Sequence, residues 1–299
     1  MQRATVLINP TSGRGRSARN APTAVSRLRE RGLDVAVIEA GSAAESLLLA
    51  RRAVEEGVDA LVACGGDGTV HCALQAVYGT QTALGIIPVG TGDDIARALE
   101  LPRDDVTAAA DVIADGRTRA VDYAVIETAD GTQAAFLAVM SAGFDSEVTE
   151  RANTMSWPTG TARYLLATFA ELRVFKPARF KITVDGRVTL GDGMMLAIVN
   201  GPCYGGGMYV CPSASLDDGV LDLTFLTRTS KLTFIRIFPR VFKGTHVQHP
   251  TVQVLKGSRI RVEAAGQTAY ADGERVGPLP VDVHVVPQGL RVFAPSDSP

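Results

Sequence analysis

Short runs of apolar residues alternate with amphipathic stretches through the first 120 or so positions. Ala4–Ile8, Asp34–Glu39, Ala60–Cys64 and Leu84–Pro88 read as strands. Between and after them, Ser17–Arg31, Ala43–Glu56, Val70–Tyr78 and Asp94–Leu99 read as helices. Strands apolar along their whole length and joined by helices are covered on both faces, which predicts a doubly wound parallel α/β sheet.

From about Ala120 the rhythm changes. "AVDYAVIET", "AAFLAVMSAGF", "RFKITVDGRVTL", "MMLAIVNG", "GVLDLTFLT", "TVQVLKGSRIRVEA", "TAYADGERVG" and "VDVHVVP" read as strands separated by turn residues. Helical spacing returns only over Gly160–Arg173 and Lys231–Lys243. The expectation is an α/β domain over 1–122 followed by a mainly antiparallel β-sandwich over 123–287.

Composition narrows the function without naming it. Hydrophobic content of 46% and charged content of 21% are ordinary for a globular chain. A net charge of -2 supplies no basic field, so no nucleic-acid partner is expected. Cys64, Cys72, Cys203 and Cys211 include no Cys-x-x-Cys pair, and reduced cytoplasmic thiols are the expectation. The chain opens directly into a strand, and no run approaches the ~20 apolar residues of a membrane helix.

Three glycine-bearing loops leave the carboxyl edge of the predicted sheet, where ligands of such sheets bind. They are "NPTSGRGRS" after strand one, "GGDGT" after strand three and "PVGTGDD" after strand four. Each precedes a helix and so offers unpaired N–H groups and the positive end of a dipole, a setting suited to phosphate. Thr69 and Thr91 are placed either to cap their helices or to donate to phosphate oxygens. Asp67 lies inside the second loop, where a carboxylate calls for a cation between itself and a phosphate. The simpler reading is an aspartate capping a helix, and Asp94 invites the same choice. "GRGRSA" followed by Glu39 also fits a dinucleotide fingerprint, which keeps an NAD-dependent oxidoreductase open.

"INPTSG", "CGGDGTV", "IIPVGTGDDIAR", "SAGFDSEV", "YGGGMYVCPSASLDDGVLDL" and "YADGERV" occur in order across nearly the whole chain. The ordered set resembles the diacylglycerol kinase catalytic family, which includes sphingosine, ceramide and bacterial lipid kinases. It is most similar to the actinobacterial members. The resemblance implies an α/β nucleotide domain, a β-sandwich, an active site in the cleft between them, and a last segment, 288–299, that returns to the first domain. It implies ATP held by Asn9, Gly65, Gly66, Asp67, Gly68, Thr69 and Thr91, with Asp67 linked to Mg²⁺. It also implies a structural Mg²⁺ on the carbonyls of Ser215 and Val220 and the side chain of Asp218, and Glu274 as catalytic base. The expected reaction is γ-phosphoryl transfer from ATP to diacylglycerol, giving phosphatidic acid. A sphingoid base or ceramide as acceptor, or a non-catalytic nucleotide- or lipid-binding protein, are the alternatives.

The pattern is not kept everywhere. Ala40 and Cys72 replace a family threonine and glutamate, and Asp93 replaces the usual asparagine. The added charge of Asp93 increases reliance on a metal or on Arg14 or Arg16. Two hairpins carry the same Asp-Gly turn, "YADGERV" with Glu274 and "TVDGRVT" with Arg187, so the dipeptide alone assigns no role. Asp217-Asp218-Gly219 likewise reads as a plain turn. His71 reads as an exposed first-turn residue, and His246 and His249 as loop surface. "WPTGTARY" resembles a stretch of NAD kinases but reads more simply as a turn and helix start.

A lipid substrate requires a peripheral approach to the inner membrane surface. In Lys231–Lys243, Arg236, Arg240 and Lys243 share one helical stripe, and Phe234, Phe238 and Phe242 recur every four residues. Such a helix either lies in an anionic interface or packs its phenylalanines on the sandwich. A homodimer is compatible with the sequence.

Overall fold

The computed structural model describes residues 3–9, 15–155, 157–158 and 161–295. The chain separates into two compact units. The first holds residues 1–123, 216–218 and 286–299, and the second holds 124–215 and 219–285.

The first unit is built from β1 (Arg3–Ile8), α1 (Arg16–Glu30), β2 (Asp34–Glu39), α2 (Ala43–Glu55), β3 (Ala60–Gly65), α3 (Asp67–Val77), β4 (Ala83–Pro88), α4 (Asp94–Ala98) and α5 (Val106–Ala114). β1 lies between β2 and β3, and β4 follows β3, all parallel. β3 and β4 are buried at every residue, as strands covered on both faces must be. α1 turns Ala21, Ala24, Val25 and Leu28 inward at helical spacing. α2 begins where Ser42 Oγ accepts the Glu45 N–H at 3.2 Å.

The apolar rhythm of the sequence does not mark α5. Its inward face is only Ala109, Ala110 and Ile113, too small for the apolar rhythm to register. Its start is set by Asp105, which accepts the Thr107 and Ala108 N–H groups at 2.9 and 3.0 Å.

β5 (Thr118–Thr128) leads into the second unit, which continues with β6 (Gln133–Phe136), β7 (Val139–Gly143), α6 (Phe144–Thr154), α7 (Thr161–Val174), β8 (Ala178–Val184), β9 (Arg187–Val199), β10 (Leu221–Thr227), α8 (Lys231–Ile237), β11 (Val252–Gly257), β12 (Arg259–Glu263), β13 (Thr268–Ala271), β14 (Glu274–Pro278) and β15 (Val281–Phe293). Its ladders are antiparallel. The first half of β9 pairs with β8, while its second half lies between β7 and β10. The enclosed core includes Phe136, Phe180, Phe225, Ile198, Leu223 and Val262. β15 ends in the first unit, where Val292 pairs in parallel with Leu84 of β4.

Two expectations for this half change. "AAFLAVMSAGF" is not one strand: it divides into β6 and β7 and then enters α6 at Phe144, after Gly143 at φ 93°. The apolar run is continuous because each piece is buried, so hydrophobicity marks no boundary. Lys231–Lys243 is α8 followed by a 3₁₀ turn over Phe238–Lys243, with Pro239 at the start of that turn.

Candidate active site

β3 and α3 are separated by one residue, Gly66, the N-cap of α3. Gly65 closes the strand, and Asp67, Gly68 and Thr69 form the first turn of the helix. The Thr69 and Val70 N–H groups donate to Gly66 O at 2.8 and 3.1 Å. The β4 loop lies directly against this junction, with the Val89 N–H donating to Gly65 O at 3.0 Å.

Glycine is required here by proximity. A Cβ on Gly90 would sit 2.6 Å from Gly66 Cα and 2.3 Å from Asp93 Oδ1, and one on Gly65 would sit 2.1 Å from Thr69 Oγ1. Two bare backbones therefore touch at the carboxyl edge of the sheet. Thr69 is 4% exposed, and its hydroxyl has no hydrogen-bond partner among the described residues. Leaving such a group unpaired costs about 1–3 kcal/mol, so the site favours an incoming oxygen.

The carboxylates divide differently from the expected pattern. Asp67 Oδ1 accepts the Ile95 N–H at 3.3 Å, so this aspartate reaches the first turn of α4 rather than capping α3. Neither threonine is a cap: Gly66 caps α3, Asp93 caps α4, and Thr91 is exposed. Asp94 occupies the first turn of α4 and pairs with Arg97 at 3.7 Å. Asp93 adopts φ 50°, and its Oδ1 accepts the Gly90 N–H at 3.0 Å. That left-handed conformation suits asparagine and aspartate alike. Burial pushes the Asp93 carboxyl above the usual range, against the pull of the Gly90 N–H, Arg16 and Arg103.

Arg16 and Arg103 also line a cavity of about 330 Å³ with Asn20, Pro88, Val89 and Asp105. Arg103 follows α4 and belongs to none of the three glycine loops, so no motif in the sequence marks it. Arg14 and most of the first loop, residues 10–14, lie outside the described residues. Asn9 is exposed just past the end of β1. His71 is buried, not exposed, at 9%.

Glu274 is exposed at the start of β14, in the second unit. The β13–β14 turn places Asp272 at φ 48° and Gly273 at φ 87°. The Asp272 carboxylate accepts the N–H groups of Leu137, Ala138 and Val139 at 2.9, 3.0 and 3.0 Å. The turn that carries Glu274 is thereby anchored to the β6–β7 connection. The β8–β9 turn repeats the device: Asp185 at φ 46° accepts the Ser258 and Arg259 N–H groups at 3.1 and 2.9 Å. The two hairpins are alike in build and differ in what they present, Glu274 in one and Arg187 in the other.

Ser215, Asp218 and Val220 lie in the loop before β10, where Gly219 has φ 72°. Asp218 is exposed and falls with the first unit, whereas Ser215 and Val220 fall with the second. Among the described residues no group of three or more His, Cys, Asp or Glu is placed to hold a metal. Asp222, which the sequence did not single out, is fully buried, with Cys211 Sγ, Ser213 Oγ and Lys256 Nζ at 3.1, 3.2 and 3.1 Å. His246 is buried rather than on the surface. Its Nε2 lies 3.0 Å from Val210 O, and burial lowers its pKa. All four cysteines are free thiols.

A parallel α/β unit with a strand–Gly-Gly-Asp-Gly-Thr–helix junction, joined in one chain to an antiparallel sandwich bearing the Asp-Gly-Glu hairpin, is the build of a lipid kinase, and the chain is an enzyme of that class. More particularly, it belongs to the diacylglycerol kinase family. The diacylglycerol kinase catalytic domain matches residues 3–126, and the YegS C-terminal NAD kinase beta sandwich-like domain matches residues 138–294. A diacylglycerol kinase of Mycobacterium tuberculosis is 41% identical over 292 residues, covering 97% of this chain and 94% of the relative. One of Bacillus subtilis is 28% identical over 301 residues, covering 99% and 98%. The solved structure of a putative diacylglycerol kinase from Bacillus anthracis shares the fold at TM-score 0.78 and 22% identity, covering 98% of this chain and 97% of that one. An NAD kinase from Archaeoglobus fulgidus is more distant in fold, at TM-score 0.54 and 13% identity.

Proposed function

We propose that the chain transfers the γ-phosphoryl group of ATP to the free hydroxyl of diacylglycerol, giving phosphatidic acid, with Mg²⁺ as the metal. The observation that carries this reading is the β3–α3 junction, where bare glycine backbone and the buried, unpartnered Thr69 hydroxyl meet at a helix start, a setting suited to phosphate oxygens. The diacylglycerol kinase name of relatives aligned along nearly the whole chain supports the acceptor.

The N–H groups of Gly66, Asp67 and Gly68 and the hydroxyl of Thr69 hold the phosphates, with Asn9 and Thr91 contributing to the nucleotide site. A carboxylate oxygen is a hard donor suited to Mg²⁺, and Asp67 is the residue that would hold it, beside the oxygens of the substrate. The metal, when bound, neutralises charge on the transferring group. A structural Mg²⁺ on the carbonyls of Ser215 and Val220 and the carboxylate of Asp218 is part of the same proposal. Glu274 takes the proton of the lipid hydroxyl as its oxygen attacks phosphorus, and the bond to the ADP oxygen breaks.

The test is a panel of diacylglycerol, ceramide and a sphingoid base with labelled ATP and Mg²⁺, run on the parent, Asp67→Asn and Glu274→Gln. Transfer to diacylglycerol that drops ~10²–10⁴-fold in Glu274→Gln is the expected result. Parent-like transfer by both variants would overturn the site, and preference for another acceptor would overturn the substrate.

A further inference from the structure

Asp67, Asp93 and Asp94 all stand around the junction of the β3 and β4 loops, and their counter-charges are not shared evenly. Asp67 reaches the Ile95 N–H and is the residue that would carry a metal. Asp94 is 4% exposed and has Arg97 at 3.7 Å. Asp93 is 8% exposed, and its carboxylate accepts the Gly90 N–H at 3.0 Å. A buried carboxylate needs a compensating charge, and beside a polyanion an uncompensated one is repulsive as well.

Two guanidiniums stand where they can supply it. Arg16 at the start of α1 and Arg103 after α4 line one cavity with Val89, the residue before Gly90. Burial pushes the Asp93 carboxyl up, and both arginines pull against that rise. The acids of the same cavity do not take their place at Asp93: Asp105 accepts the Thr107 and Ala108 N–H groups of α5, and Asp104 is exposed.

Arg103 is brought to the cavity by the way α4 ends. Glu100 is left-handed at φ 58°, its N–H donates to Arg97 O at 3.1 Å, and the Leu101 N–H donates to Ala96 O at 2.9 Å. That pair of bonds closes the helix and turns the chain out of it. Leu101 is buried after the turn, and Pro102 fixes one backbone angle before Arg103. On the far side the chain is held again by the Asp105 cap. Arg103 therefore sits between two anchored points. Asp93 caps the opposite end of α4, a helix of five residues and so about 7.5 Å long, a span within the field of an arginine.

We propose that Arg103, acting with Arg16, is a positioning residue for the nucleotide: the two cations balance Asp93 across the third loop, so that this loop does not repel the phosphates. The balance rests on a residue outside every glycine loop, and on a side chain rather than on a metal. The proposal deepens the reading of the β3–α3 junction as a triphosphate site and depends on it for the ligand. Because what Arg103 removes is repulsion, its effect grows with the charge of the ligand.

The test is equilibrium binding of Mg·ATP, Mg·ADP and adenosine to the full chain, beside ligand-free thermal melts, for the parent, Arg103→Gln, Asp93→Asn and the double variant. Arg103→Gln should weaken Mg·ATP about three- to tenfold, Mg·ADP less and adenosine not at all, with the loss shrinking as salt is added. Arg103→Lys should stay near the parent. In the Asp93→Asn background the same glutamine should change Mg·ATP affinity by less than about twofold, and it should lower the melting midpoint only where Asp93 is present. Arg52→Gln, which removes a cation from the last turn of α2, controls for net charge and should leave binding unchanged. An equal loss of Mg·ATP affinity in both backgrounds overturns the proposal, because Arg103 would then act on the phosphates directly. So does an equal loss for Mg·ATP and adenosine, the mark of a distorted loop. A parent that binds no Mg·ATP overturns the nucleotide reading instead. The ligand-free melts still decide the pairing in that case, and a midpoint that falls equally in both backgrounds refutes it.

Discussion

Asp272→Asn should cost more activity than its stability loss explains. The Asp272 carboxylate uses both oxygens, Oδ2 for Leu137 N–H and Oδ1 for Ala138 and Val139 N–H, at 2.9 to 3.0 Å. Asparagine tolerates φ 48° but keeps only one accepting oxygen, and its NH₂ group then opposes an N–H. Bonds to a charged acceptor contribute about 1.5–3 kcal/mol each, so losing one and opposing a donor should destabilise by about 2–4 kcal/mol. In a chain of this size that lowers the melting midpoint by roughly 4–16 °C and leaves a folded protein at 25 °C. The turn then loosens against the β6–β7 connection and carries Glu274 with it. A displacement near 1 Å at a reacting group reduces rate by on the order of a hundredfold. The internal control is Asp185→Ala, which strips the matching anchor from the Arg187 hairpin and places alanine at φ 46°. Both variants are measured by thermal melt and by initial rate at saturating ATP. Equal activity loss in the two at matched midpoints, or a parent-like kcat in Asp272→Asn, would refute the positioning argument.

Gly90→Ala forces a Cβ to 2.6 Å from Gly66 Cα, at least 0.8 Å inside the 3.4 Å of ordinary contact, and no rotamer relieves a clash with backbone. It should destabilise by about 1–3 kcal/mol and raise KM for ATP, whereas Gly41→Ala, whose nearest neighbour is a flexible glutamate oxygen at 3.5 Å, should do neither; an unchanged KM in Gly90→Ala would exclude the two-loop cradle. Asp93→Asn keeps the left-handed backbone and removes a buried charge. Because burial raises the folded pKa, the parent holds this part of its stability below the unfolded value near 4 and loses it as pH rises through the folded value. The asparagine variant's advantage in urea midpoint should therefore grow from pH ~4 toward neutrality, with a lower KM for ATP; an advantage that shrinks as pH rises would contradict the assignment.

The pattern along the chain determined the parallel α/β half, the strand-rich second half, and the glycine loops after β3 and β4 at one sheet edge. Those features are local: a strand buried on both faces must be apolar throughout, and a loop that enters a helix beside a ligand must be short and bare. Asp67 and Thr69 were legible as candidates for the same reason. Local rhythm failed where burial did not vary, as through "AAFLAVMSAGF", and where the buried face was made of alanine, as in α5.

Only the tertiary structure decided which distant backbones meet. The contact of Gly90 with Gly66, the parallel pairing of Val292 with Leu84, and the three N–H groups received by Asp272 join residues 24 to more than 200 positions apart. It also decided that Phe234 faces in while Leu232 and Ile235 face out, and that Arg103 stands beside the third loop. Periodicity records that a residue has a buried side, not what covers it. That second fact depends on chain closure over long separations, where the deciding steric and hydrogen-bond terms act between segments no sequence window contains.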